Sequence, residues 1–336
     1  MNEELLRQVL ADEAGRVEVS PVALDSIRRR IRRRRWWWRR TRFASLDRLL
    51  VGAAVVVACA AVVSTCGPPV RPGPAPSPGA EPSSPGAEPS SAGPATAPVA
   101  VYYQGADPEH GLYREFRPLP VGDGSPADRV RAALRHLVES AGARDPDYRA
   151  GWPPGTRLRA VTVSAGTATV DLAGAAAPVP VSGSADDRVA AQAVQQLVWT
   201  ATAVTGITGV RLLLDGVPVD RLWDRVDVRE VLGRAPAVDV LAPVWLISPQ
   251  QGDRVGRDLE VHVAGTVGPA GVHLRVLQGN RTVTERLLTL SAGSPAQGEA
   301  RVRLSLPPGD YTLQAYAAAA TGGGVRHLDD HEVTVG

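Results

Sequence analysis

The stretch Leu158–Leu172, LRAVTVSAGTATVDL, alternates apolar and polar residues on both sides of Ala165-Gly166. A period of two belongs to strands with one buried face, and a glycine-containing pair between two such runs is a hairpin signal. Leu158–Ser164 and Thr167–Leu172 therefore read as paired strands. Upstream, Val101-Tyr102-Tyr103 and Leu112–Leu119 read as strands as well. Between them and the hairpin, Ser125-Pro126-Ala127-Asp128 has the spacing of a capping box with proline in the first turn. It opens a helix whose apolar face is Val130, Ala133, Leu134 and Leu137. Downstream, a second box from Ser184 to Asp187 opens a longer helix carrying Val189, Ala193, Leu197, Ala201 and Val204 on one stripe. Val210–Leu214 then reads as a strand and Asp215-Gly216 as its turn. Residues 99–219 thus form an α+β domain, two helices against an antiparallel or mixed sheet.

Beyond a connector, residues 220–240, the pattern turns all-β. Strands are expected near Val244–Ile247, Leu259–Val267, Val272–Leu277, Thr282–Thr289, Ala300–Leu306, Tyr311–Ala317 and Val325–Val335. In one of them Val302, Leu304 and Leu306 face one way, Arg301, Arg303 and Ser305 the other. Short strands punctuated by Gly and Pro turns predict an immunoglobulin-like sandwich over residues 241–336, without the Cys…Trp…Cys pattern of antibody domains.

The N-terminal third is of another kind. Ten arginines and the consecutive Trp36, Trp37 and Trp38 lie between Arg28 and Arg42, and the chain then runs uncharged from Leu49 to Cys66. As a helix that run spans about 27 Å, close to the ~30 Å hydrocarbon core of a bilayer. Basic residues favour the cytoplasmic side and Trp the headgroup layer. Residues 1–48 are therefore predicted to be a cytoplasmic tail, 49–66 a transmembrane helix, and 67 onward extracytoplasmic, in a single-pass protein of the cell membrane. The collar Arg32, Arg33, Arg34, Arg35, Trp36, Trp37, Trp38, Arg39 and Arg40 is the expected interface anchor, its partner the anionic lipid of the inner leaflet. A cleaved signal peptide has a much shorter basic start than these 48 residues. Val63-Ser64-Thr65-Cys66 departs from a lipid-attachment site at Thr65. Residues 67–98 hold eleven prolines and a repeated SPGAEPS, the composition of an extended spacer.

Charge and cysteine content remove several function classes. The net charge is +2, and with ten positive charges in Arg28–Arg42 the rest of the chain carries −8, so no basic surface for nucleic acid recurs outside the collar. The two cysteines, Cys59 and Cys66, both lie in the apolar run, about 10 Å apart along a helix, too far to bridge. The exported part has no disulfide, no thiolate metal site and no cysteine nucleophile. His327 and His331 flank Asp329-Asp330, but no Glu follows the first His as in zinc proteases, and the segment reads as strand. They are expected as surface polar residues on the terminal strand. Gly322-Gly323-Gly324 reads as a hairpin turn. No catalytic, cofactor or metal residue is assigned. Trp199 and Trp245 read as core; Trp152, in Gly151-Trp152-Pro153-Pro154-Gly155, is the candidate exposed contact residue.

Val101-Tyr102-Tyr103, Ala132-Ala133-Leu134 with Leu137, Pro153-Pro154-Gly155-Thr156, Ala168–Leu172, Gln196-Leu197-Val198 and Val210–Gly216 resemble the GerM-type domain of sporulation and spore-germination proteins. Ile247-Ser248-Pro249, Gly252-Asp253, Val255 and Leu259–Thr266 resemble the immunoglobulin-like domain that often follows it. The second resemblance is interrupted at Val267–Gly271 and at Ala317–Gly322. Together they imply envelope or sporulation assembly, with a fold similar to ring-building modules of secretion-like complexes, and carry over no catalytic residue. The expected function is a non-catalytic envelope protein whose exported domains bind envelope proteins or cell-wall polymer, with homo-oligomerisation open. The alternative is a transmembrane signalling or anti-sigma-like regulator acting through residues 1–27; a wall-hydrolysing enzyme is a third reading.

Overall fold

The computed structural model describes residues 95–105, 111–140, 142–175, 185–268, 271–318 and 324–336. All lie in one compact unit, Pro85–Gly336. The tail, the Arg/Trp collar, the apolar span, the spacer up to residue 94, Ser184 and the Gly322-Gly323 turn lie outside the described residues. Among the described residues no helix is long and apolar enough to cross a membrane.

The α+β half is built on two sheets rather than one. In the first, β1 (Thr96–Gly105) lies between β2 (Leu112–Pro120) and the short β3 (Tyr148–Arg149). β1 begins within the expected spacer, since Thr96–Pro98 already pair with Pro118–Pro120. β3 covers only Gln104 and Gly105, so the start of β1 is an edge, where a proline without an N–H is tolerated.

The second sheet runs β4 (Arg157–Ser164), β5 (Thr167–Ala173), β6 (Gly209–Leu214), β7 (Val217–Pro218). The hairpin β4–β5 forms as its alternation requires, with Ala165 and Gly166 both at positive φ, the backbone of a two-residue hairpin turn. β5 and β6 are parallel, and α2 (Ala185–Thr202) supplies the crossover such a pair needs. Helix α1 (Pro126–Glu139) starts where Ser125 Oγ accepts the Asp128 N–H at 3.2 Å. The reciprocal half of the box is replaced: the Ser125 N–H donates to Asp123 instead. Both helices touch strands of both sheets.

The stretch 220–240 is not a free connector. It folds back as a small hairpin, β8 (Arg221–Leu222) with β9 (Val226–Asp227), and Leu232 then exchanges hydrogen bonds of 2.9 and 2.7 Å with Val210 on β6. One turn of helix, α3 (Ala237–Val240), leads into the second half.

That half is a two-sheet β-sandwich. One sheet is β10 (Val244–Ser248), β12 (Asp258–Gly265), β15 (Gly298–Ser305). The other is β11 (Arg254–Val255), β17 (Val325–Val335), β16 (Gly309–Ala318), β13 (Val272–Gln278), β14 (Arg281–Leu288). The expected strands are present, and the added β11 pairs in parallel with the end of β17. Leu304 and Leu306 are buried and Arg301 and Arg303 exposed, as the alternation requires.

Strand β10 explains how the halves join. Its run VWLI is buried on both faces. Val244 and Leu246 enter the sandwich core, whereas Trp245 and Ile247, with Ala264 of β12, enter the core of the α+β half. The three-stranded sheet is thus a shared layer, and near-continuous apolar sequence is what a strand covered on both sides needs. Polar ties lie along the same seam: Arg114 to Glu299 at 2.6 Å, Arg144 to Asp253 at 2.6 Å, and the Gln250 amide donating to the Phe116 carbonyl at 2.7 Å.

Candidate functional site: a buried polar cluster in the seam

The most unusual chemistry sits where the loop after α1 meets β17. Glu115 on β2 shapes that loop: its buried carboxylate accepts the backbone N–H of Arg144, at 2.9 and 3.0 Å, and of Asp145, at 3.0 Å. Arg117 closes on the same carboxylate at 3.2 Å. Asp145 then caps its own turn, Oδ1 accepting the Asp147 N–H at 2.7 Å, which aims Oδ2 at the sandwich. Tyr148 follows on β3, its ring stacked on Tyr113 at 4.3 Å between centroids.

From the other side, β17 presents Asp329 and His331 on one face by the strand period, and both are buried. Asp329 accepts the Tyr148 hydroxyl at 2.7 Å through Oδ1 and the Leu246 N–H at 2.7 Å through Oδ2. His331 Nδ1 lies 2.7 Å from the Pro249 carbonyl, and Nε2 lies 3.6 Å from Asp145 Oδ2. Asp145 and Asp329 are each 4% exposed and His331 2% exposed.

Burial, reinforced by the charge of Asp329, pushes the Asp145 carboxyl up to about 9. Burial also raises Asp329, against the opposing pull of His331, the Leu246 N–H and the Tyr148 hydroxyl. The Tyr148 phenol is raised by its own burial and then by the two carboxylates. Two carboxyl groups therefore face one imidazole in a dry seam, where an uncompensated charge is costly. Two surface hollows, about 340 Å³ beside Arg257 and Pro307 and about 330 Å³ beside Glu139 and Arg157, lie away from this cluster.

Several site expectations change. Trp152 is not an exposed contact residue: it is 7% exposed, its ring 5.4 Å from Trp223. The folded-back connector buries it, with Trp223 anchored by donating Nε1–H to the Ala175 carbonyl at 2.7 Å. Asp329 and His331 are not surface polar residues of a terminal strand. His327 is exposed, at φ +54° within a register shift between β16 and β17, and His331 joins Asp145 and Asp329 instead. Trp199 and Trp245 are core, as their positions suggested. Arg32–Arg40, with Trp36, Trp37 and Trp38, lie outside the described residues. Asp145 and Tyr148 carried no signal beyond the turn former Asp145-Pro146-Asp147.

The motif residues themselves have structural duties. Asp171 accepts the Gly216 N–H at 2.9 Å, tying the Asp-Gly turn to β5. Thr156 hydrogen-bonds back to the Pro153 carbonyl at 2.8 Å. Gln196, fully buried, accepts the Gly151 N–H at 2.9 Å and donates to the Arg149 carbonyl at 3.2 Å.

A family model described as "Germane: Sporulation and spore germination" matches residues 100–220. No curated protein matches the chain. Among solved structures, the tandem GerMN domains of the sporulation protein GerM from Bacillus subtilis are 16% identical, covering 62% of this chain and 61% of that one, with a TM-score of 0.33. The first GerMN domain of that protein is 21% identical over 43% of this chain and 97% of that one, with a TM-score of 0.29. Fibronectin(III)-like modules of Clostridium thermocellum CbhA are 20% identical over 27% of this chain and 93% of that one, with a TM-score of 0.19. Residues 100–220 are a GerM-type domain of the sporulation and spore-germination family.

Proposed function

We propose that this chain is a non-catalytic, membrane-anchored envelope protein whose GerM-type domain and immunoglobulin-like sandwich act together as one recognition body outside the cell. The observation that carries the reading is the shared seam. β10 buries one face in each half, and a rigid two-domain block suits presentation of fixed surfaces better than a flexible string of modules. On this reading the Arg/Trp collar sets orientation, the proline-rich spacer sets reach, and the body binds envelope proteins or cell-wall polymer. Strand β14 offers an edge for strand addition, since it ends the five-stranded sheet and Leu287 on it is 62% exposed.

Two measurements test it. A reporter that works only outside the cytoplasm, fused after Gly336, should be active; activity of a cytoplasm-only reporter there sinks the proposal. A photo-crosslinker at Leu287 in living cells should trap an envelope protein or wall fragment. Trapping of cytoplasmic proteins alone counts against it.

A further inference from the structure

We propose that Asp145, Asp329 and His331 form a divalent-cation site, with zinc the ion whose chemistry the donors fit, and that the ion clamps the GerM-type domain to the sandwich. One ligand atom from each residue can be chosen so that all three lie within 4.8 Å of one another. Tetrahedral zinc with bonds near 2.0–2.1 Å holds its ligand atoms about 3.4 Å apart. His331 Nε2 and Asp145 Oδ2 are 3.6 Å apart, close to that separation and too long for a hydrogen bond between them.

His331 supplies the independent indication. The Pro249 carbonyl can only accept, so the ring nitrogen 2.7 Å from it, Nδ1, carries the proton. In the neutral ring Nε2 then carries a lone pair, and it points into the cluster with no hydrogen-bond partner among the described residues, in a residue only 2% exposed. An imidazole held through one nitrogen by a backbone carbonyl, with the other free to coordinate, is the arrangement found in metal-ligating histidines.

The carboxylates are placed to match. The Tyr148 hydroxyl and the Leu246 N–H orient Asp329, and the Asp147 N–H orients Asp145. Each carboxylate oxygen keeps a further lone pair for an ion. A dication also offsets two carboxylates that burial would otherwise leave facing a single imidazole. A nitrogen donor with two carboxylates favours zinc over calcium or magnesium, which prefer oxygen cages. Asp145 comes from one half and Asp329 and His331 from the other, so the ion would act as a staple at the seam.

The test uses the full-length chain in detergent, carrying Cys59→Ser and Cys66→Ser so that no thiol competes, and stripped with chelator. Titration with zinc should show one tight site, and the unfolding midpoint should rise with added zinc. Cobalt should give visible d–d bands without thiolate charge transfer. Asp145→Asn keeps an acceptor for the Asp147 N–H, and His331→Asn keeps a donor for the Pro249 carbonyl. Each should weaken zinc binding by about 100-fold or more. Asp253→Asn, at the same seam outside the cluster, should bind as the parent does. If His331→Asn fails to fold, Asp145→Asn and the cobalt spectrum decide alone. No saturable zinc or cobalt binding by the parent, or equal binding by Asp145→Asn, overturns the proposal.

Discussion

The phenol of Tyr148 donates a 2.7 Å hydrogen bond to Asp329, a residue 181 positions further along the chain. The bond closes the seam between the two halves, and its acceptor is a buried carboxyl whose other oxygen takes the Leu246 N–H. Tyr148→Phe keeps the ring that stacks on Tyr113 and removes only the hydroxyl. A buried hydrogen bond contributes about 0.5–1.5 kcal/mol, and about 1.5–3 kcal/mol when its acceptor is charged, so urea unfolding should show a loss of about 1–3 kcal/mol. The same substitution in an Asp329→Asn background should cost clearly less. Equal losses in both backgrounds would mean that the pair is not coupled.

Glu115 makes a second prediction, at one remove from the cluster. Its carboxylate holds the N–H groups of Arg144 and Asp145 and pairs with Arg117. Glu115→Gln leaves one oxygen where two were used and removes the charge facing Arg117. The expected loss is about 2–4 kcal/mol, between the cost of an unsatisfied buried group and that of a broken buried pair. The signature is local: amide exchange at Arg144 and Asp145 should accelerate before global unfolding. Unchanged exchange there would remove Glu115 from the role of shaping the loop.

What could be read in the sequence was what neighbours decide. Ser125 caps a helix three residues on, Ala165-Gly166 closes a hairpin, and Leu304 and Leu306 alternate with Arg301 and Arg303; each lies within a few residues of its cause. The seam lacks that property. Trp245 and Val244 are adjacent apolar residues, and nothing local says that they enter different cores. Trp152 reads as an awkward loop ring until Trp223, from a stretch that resembles a tether, covers it. Asp329 and His331 read as surface polar residues because their partners, Asp145 and Tyr148, are supplied by the other half. Buried polar groups paired across domains leave no periodic trace, since only the assembled fold makes them polar in a dry place.

The β4–β5 turn offers a stabilising change. Ala165 sits at φ +45° and Gly166 at φ +76°. The left-handed region costs an L-residue with a Cβ about 1–2 kcal/mol, and asparagine tolerates it best among the non-glycine residues. Nothing in the site depends on this exposed position. Ala165→Asn should therefore raise the unfolding free energy by about 0.5–1 kcal/mol, read as a higher urea midpoint at unchanged slope. A lower midpoint would show that the turn keeps alanine for a contact outside this chain.

His136 on α1 gives a pH prediction whose sign follows from its burial. Desolvation, helped by the positive charge of Arg117, lowers its pKa to about 4, whereas the unfolded chain titrates near 6.5. Between those values the unfolded state takes up a proton that the folded state refuses. The contribution of His136 to stability is therefore fully present above about pH 6.5 and is lost progressively as the pH falls toward 4. Asp145, raised to about 9, acts in the opposite sense, binding its proton more tightly when folded, so the total pH curve mixes the two. The comparison that isolates His136 is wild type against His136→Gln at matched ionic strength. The difference in denaturant midpoint should be flat above pH 7 and should fall steadily from pH 6.5 to 4, wild type losing more than the variant. Parallel curves through that window would mean that the imidazole protonates in place, and that the end of α1 opens to water more easily than its packing implies.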